Sequence, residues 1–111
     1  MTLEEQMKNI INLSNTYIGE CPPDADNCQW IRESAGTSQV YFNKDTYDKL
    51  LYTIYIRGKL NAETYQRTQE IFKKLQNYTE DNCSILVARL PHFAGKDDRF
   101  RSVYSFQLDI S

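Results

Sequence analysis

Histidine is almost missing from this sequence and glycine is sparse. His92 stands alone, and the four glycines at 19, 36, 58 and 95 are isolated from one another. A serine or cysteine nucleophile needs a base, most often histidine, and no Gly-x-Ser-x-Gly turn accompanies Ser34, Ser38 or Ser84. A phosphate-cradling loop needs several clustered glycines at a helix start, which this chain lacks. The three cysteines, at 21, 28 and 83, include no Cys-x-x-Cys pair, and His92 is far along the chain from the first two. Zinc wants four close nitrogen or sulfur ligands, so no metal site is expected and the plain expectation is reduced thiols. No apolar run approaches the roughly 20 residues needed to span a bilayer. The opening MTLEEQMKNI is acidic and amphipathic, unlike a secretory leader. The chain therefore reads as cytoplasmic and soluble, and the glycosylation-type triplets at Asn12, Asn77 and Asn82 carry no meaning there.

A basic excess is absent as well. Thirteen Lys and Arg against fifteen Asp and Glu leave a net charge of −2, and the cations are scattered among acids, as in Arg99 and Arg101 beside Asp97 and Asp98. Nucleic-acid binders usually carry a basic stripe, so neither nucleic acid nor membrane is an expected partner. Paired carboxylates occur at Asp24/Asp26 and Asp97/Asp98, in runs where Asp is common for its own backbone hydrogen bonds. A calcium loop from Asp24 fails because its twelfth position is Ala35. No constellation meets the geometric roles of an active site. The chain is expected to be no enzyme, to need no cofactor and to act through its surfaces.

What the sequence does hold is a foldable pattern. At 111 residues it has the length of one domain, which buries roughly two-thirds of the surface its unfolded chain exposes. Eight tyrosines dominate the aromatics; Tyr suits both strands and interfaces. Thr2 and Glu5 form a capping box, and Leu3, Met7, Ile10 and Ile11 recur at helical spacing, predicting a first helix that ends near 13–15. A short extended piece, 17–20, stops at Pro22-Pro23 and a turn. Strands are predicted at 28–34 and 47–57, the second with Leu50, Tyr52, Ile54 and Ile56 on one face. A second helix, 62–77 with Asn61 as cap, carries a stripe of Tyr65, Thr68, Ile71, Phe72 and Leu75. Strands at 83–90, closed by Pro91, and 100–110 complete the chain. The loops 35–44 and 92–98 mix glycine, charge and aromatics, as mobile interface loops do. The expected architecture is α+β, in the order α-β-β-β-α-β-β. A mainly antiparallel sheet of four to five strands would carry two amphipathic helices on one face and leave the other, half-polar, to solvent or a partner.

Two stretches carry a resemblance. One is TYIGECPPDADNCQWIRESAG (16–36); the other is YTIYIRGK (52–59), the helix NAETYQRTQEIFKKL (61–75) and PHFAGKDDRFRSVYSFQLDI (91–110). Their order and spacing resemble the small minor capsid proteins of long-tailed bacteriophages, which are similar to tail terminators, also called tail-completion or head–tail joining proteins. Cys21 and Ala94 depart from that pattern. The resemblance implies a structural protein, with no catalytic residue, that caps the tail tube as a homo-oligomeric ring, typically a hexamer, and meets the neck of the filled head. Its partners would be itself, the tube protein and a head-completion protein. It would work in the host cytoplasm during assembly and then at the head–tail junction. A ring needs two unlike complementary patches on each subunit, and the expected interface residues are Tyr41, Phe42, Tyr55, Arg57, Phe93, Lys96, Arg99 and Arg101. Another neck component, such as a head-closure protein, a small-ligand-binding regulatory domain and an enzyme using Asp97/Asp98 remain alternatives from the residues alone.

Overall fold

The structure, a computed structural model of the chain, describes residues 3–33, 50–76 and 85–110. Helix α1 (Leu3–Ile11) has Glu4 and Glu5 in its first turn, where acids complement the helix dipole. Met7 and Ile11, four apart, are buried on one face. The helix stops because Asn12 takes a left-handed φ of 54°, a conformation Asn tolerates better than most residues. Lys74 Nζ donates to the last carbonyl, Ile11 O, at 2.9 Å. The expected cap Thr2 lies outside the described residues.

The chain then enters a sheet ordered β1-β2-β3-β5-β4. Its strands are β1 (Thr16–Ile18), β2 (Cys28–Glu33), β3 (Leu50–Gly58), β4 (Ile85–Lys96) and β5 (Ser102–Ile110), with helix α2 (Asn61–Gln76) between β3 and β4. The element order and the α+β class agree with the sequence expectation. The sheet is mixed rather than antiparallel throughout, because β1 runs parallel to β2. All other neighbours are antiparallel. Hydrophobic alternation says which face a residue takes but nothing of strand direction, and β1 has too few residues to alternate.

The core lies between one sheet face and the two helices. Ile31, Tyr52, Ile54, Ile56, Phe106 and Leu108 meet Met7, Ile11, Ile71, Phe72 and Leu75. Burying one such side chain contributes about 1.5–3 kcal/mol relative to leaving it in water. Phe72 and Phe106 meet edge-on at 5.1 Å, the arrangement the aromatic quadrupole favours. Tyr52 is buried with its hydroxyl donating to Glu4 Oε1 at 3.2 Å. That burial, with Glu4 beside it, pushes its pKa up to about 12.

Two expectations about packing need correction. Tyr65 is exposed, and Thr64 takes its place on the buried face of α2. The Thr64 and Thr68 hydroxyls can be buried because each donates to the carbonyl four residues back, at 2.7 Å. The approach of α2 to β3 also requires Gly58, since a Cβ there would collide with Thr64 Oγ1. Secondly, β4 does not stop at Pro91 but runs on to Lys96, so 92–96 is strand rather than loop. A proline lacks the ladder donor, which an edge strand tolerates. Three register shifts along β4, and a φ of 115° at Gly95, bend the strand as it passes.

Candidate assembly interface

At one end of the sheet, arginines from β3 and from the β4–β5 turn converge on the segment between β1 and β2. Arg57 Nη2 donates to Pro22 O at 2.8 Å and Ala25 O at 2.6 Å. Arg101 Nη1 donates to Pro23 O at 2.8 Å, to Ala25 O at 3.2 Å and to Asp26 Oδ1 at 3.3 Å. Asp97 links the two cations. Its Oδ2 accepts from Arg101 Nε at 2.8 Å and lies 4.0 Å from Arg57 Nε. Its Oδ1 accepts the amides of Arg99 and Arg101 at 3.0 and 2.9 Å, which is what shapes the turn.

The electrostatics follow from burial. Burial by itself would raise the Asp97 carboxyl, but hydrogen bonds from Arg101 and the Arg99 amide, with the Arg101 charge, outweigh it and hold the pKa below the ordinary carboxylate value. Burial, then Arg101 nearby, lowers the Arg57 pKa. Burial also lowers that of Arg67, whose guanidinium donates to the Arg57 and Cys28 carbonyls. The clasped segment is closed a second way, by a Cys21–Cys28 disulfide. This corrects the expectation of reduced thiols for these two cysteines; the Pro-Pro turn folds the chain back so that residues seven apart meet. Cys83 lies outside the described residues.

The sheet face away from the helices carries a cross-strand row. Tyr17, Trp30, Tyr55, Ser105 and His92 are successive partners across β1, β2, β3, β5 and β4. Trp30 and Tyr55 stack at 5.0 Å, and Arg57 lies 5.6 Å from the Trp30 ring centre. His92 Nδ1 sits 3.0 Å from Leu90 O, so that nitrogen carries the proton and Nε2 accepts from Ser105 Oγ at 3.2 Å. The histidine is thereby fastened to a backbone carbonyl of its own strand. Among the described residues no group of His, Cys, Asp and Glu could hold a metal.

The expected interface residues are dispersed over this frame. Tyr41 and Phe42 lie outside the described residues. Arg57 and Arg101 are only 8 % and 3 % exposed and are occupied by contacts inside the chain. Tyr55 is half-buried against Trp30, Lys96 is exposed at the end of β4, and Arg99 is exposed beside Asp24 Oδ1 at 3.3 Å. Phe93 is 49 % exposed, its ring edge-on to Tyr104 at 5.4 Å. The exposed apolar residues that the sequence reading missed include Leu86, Leu90 and, at the tip of the β4–β5 turn, Phe100, which is 79 % exposed. Phe100 also has a left-handed φ of 60°, an uncommon conformation for a bulky side chain. No periodicity marks a single turn residue, and the two leucines, three before and one after Arg89, lie on what proves to be an edge strand broken by register shifts.

The family model described as bacteriophage tail terminator protein matches residues 5–111. The chain belongs to that family. No curated protein matches the sequence. A tail terminator is a structural tail-assembly protein and part of the virion. No helix among the described residues is long and apolar enough to cross a membrane.

Proposed function

We propose that this tail terminator stops growth of the tail tube by closing as a homo-oligomeric ring, a hexamer, on its head-proximal end, and that the ring then joins the neck of the filled head. The observation that carries the reading is the family match across nearly the whole chain. Its partners on this reading are further copies of itself, the tube protein and a head-completion protein, with no cofactor. It acts in the host cytoplasm during assembly and remains at the head–tail junction. A heterologous ring contact demands unlike surfaces, and the reading is supported by two unlike sheet edges: the apolar, cation-bearing β4 at one and the short β1, followed by Glu20, at the other.

The direct test is to grow tubes from purified tube protein with and without this protein. Electron microscopy should show a narrow length distribution and a ring-shaped cap at one end only when the protein is present. Tubes of the same uncontrolled length in both samples would defeat the reading. Tubes that stop normally but fail to join heads when this protein is withheld would make it a neck component instead.

A further inference from the structure

Among the described residues β4 and β1 form the two edges of the sheet, and they are unlike in length, charge and apolar content. At one edge, β4 extends over twelve residues. It exposes Leu86 at 58 %, Leu90 at 67 % and Phe93, and residues 82–96 contain Arg89 and Lys96 but no Asp or Glu. At the other edge, β1 is three residues long. Ile18 there is 41 % exposed and Glu20, just beyond, is exposed. Asp24 and Asp26, further on, are held by Arg99 and Arg101 at the end of the sheet, so Glu20 is the acid that the β1 edge itself offers.

An exposed, apolar edge strand of this length is a template for pairing with another chain, and proteins normally shorten, cover or charge such edges to prevent it. Pro91 and the register shifts disturb β4 without hiding its leucines. The ring reading supplies the occupant's identity, a second copy, and charge decides which part of that copy fits. Two β4 strands related by a two-fold axis would bring Arg89 and Lys96 of one against those of the other, and like charges across a pair are destabilising. The β1 edge has the opposite sign and its own exposed apolar residue, Ile18.

We propose that the β4 edge of one copy docks on the β1 edge of the next, so that the sheet continues from subunit to subunit, with Leu90 and Ile18 in the contact and Arg89 facing Glu20. This rests on the ring reading and specifies its contact. The contact is head-to-tail, the only kind from which a ring can close. It also leaves the helix layer on one side of the continued sheet and the Trp30–Tyr55 row on the other.

The full chain is tested by sedimentation velocity across a wide concentration range, alone and with tube protein added. Wild type should associate, and Leu90→Asp should abolish association. Arg89→Glu and Glu20→Lys should each weaken it several-fold at low salt. The double variant Arg89→Glu/Glu20→Lys should recover most of the loss, since every junction is again complementary. Unfolding midpoints should stay near wild type, because these side chains are exposed. If wild type forms rings and all four variants form them equally well, the edge contact is wrong and the ring reading stands. The edge contact is equally wrong if the variants lose only their binding to tube protein. A wild type that associates neither alone nor on tubes would overturn both.

Discussion

On the helix side of the sheet, Phe72 and Phe106 interlock among Ile54, Ile71, Leu75 and Leu108, and apart from the edge-on meeting of the two rings their contacts depend little on direction. At the sheet's end, Arg57, Arg101 and Asp97 hold the segment after β1 by charge-assisted hydrogen bonds, most of them to backbone carbonyls. The first region is stabilised in proportion to the apolar area removed from water. The second depends on geometry: cations taken out of water there are tolerable only while their partners stay in place. Substitutions in the two regions should therefore differ in kind as well as in size.

The largest loss is expected in the core. Phe106→Ala should cost about 3–5 kcal/mol by chemical denaturation, from lost transfer energy plus the cavity against Phe72. A loss below ~1 kcal/mol would mean the helices pack more loosely than described. Arg101→Ala should follow at about 2–3 kcal/mol, because it leaves Asp97 and the Pro23 carbonyl short of a donor. Arg101→Lys should rescue little, since one ammonium cannot reach both. If Arg101→Ala proves silent, the clasp contributes nothing to folding.

Cysteine and acid sharpen the comparison further. Removing the Cys21–Cys28 bond by Cys21→Ala/Cys28→Ala should cost about 2 kcal/mol, as for a short closed loop. Reducing agent should shift the wild-type midpoint toward that of the double variant. The Asp97 carboxyl, depressed in the fold, stabilises the protein fully above its unfolded pKa of 3.8. That contribution disappears as pH falls through the lower folded pKa. Acid unfolding of Asp97→Asn should accordingly show a shallower pH dependence below pH ~4 than wild type. The smallest effect belongs to Arg99→Ala, within about 0.5 kcal/mol, since Arg99 and Asp24 are both exposed.

The contrast between Arg99 and Arg101 shows where sequence reading runs out. Two residues apart and flanked by the same acids, they look equivalent in sequence, as surface charges poised for an interface. Folding separates them because Arg101, just ahead of β5, turns inward under the segment after β1, while Arg99 stays exposed on the turn. That outcome depends on a partner 75 or more residues away, which no local pattern encodes. The alternation of Tyr52, Ile54 and Ile56, by contrast, is local, and it named the core face of β3 correctly. Met7 and Ile11 did the same for α1. Pro91 misled because its meaning depends on whether its strand is central or at an edge. Tyr65 misled because an aromatic at helical spacing outweighed a threonine whose hydroxyl is satisfied within its own helix. The disulfide was illegible since pairing requires knowing how the Pro-Pro turn folds back.

The placement of β5 between β3 and β4 orders events during synthesis. Until residues 102–110 have left the ribosome, β4 has no strand beside it, and its leucines have nothing to hold them in register. Pairing with β4 is a local hairpin, but pairing with β3 comes late and over a long sequence separation, which slows folding. A nascent chain is thus unable to present a finished β4 edge before β5 is complete; on the proposed edge contact, subunits join only after that. A chain whose synthesis stopped within β5 would lack the strand that joins β3 to β4.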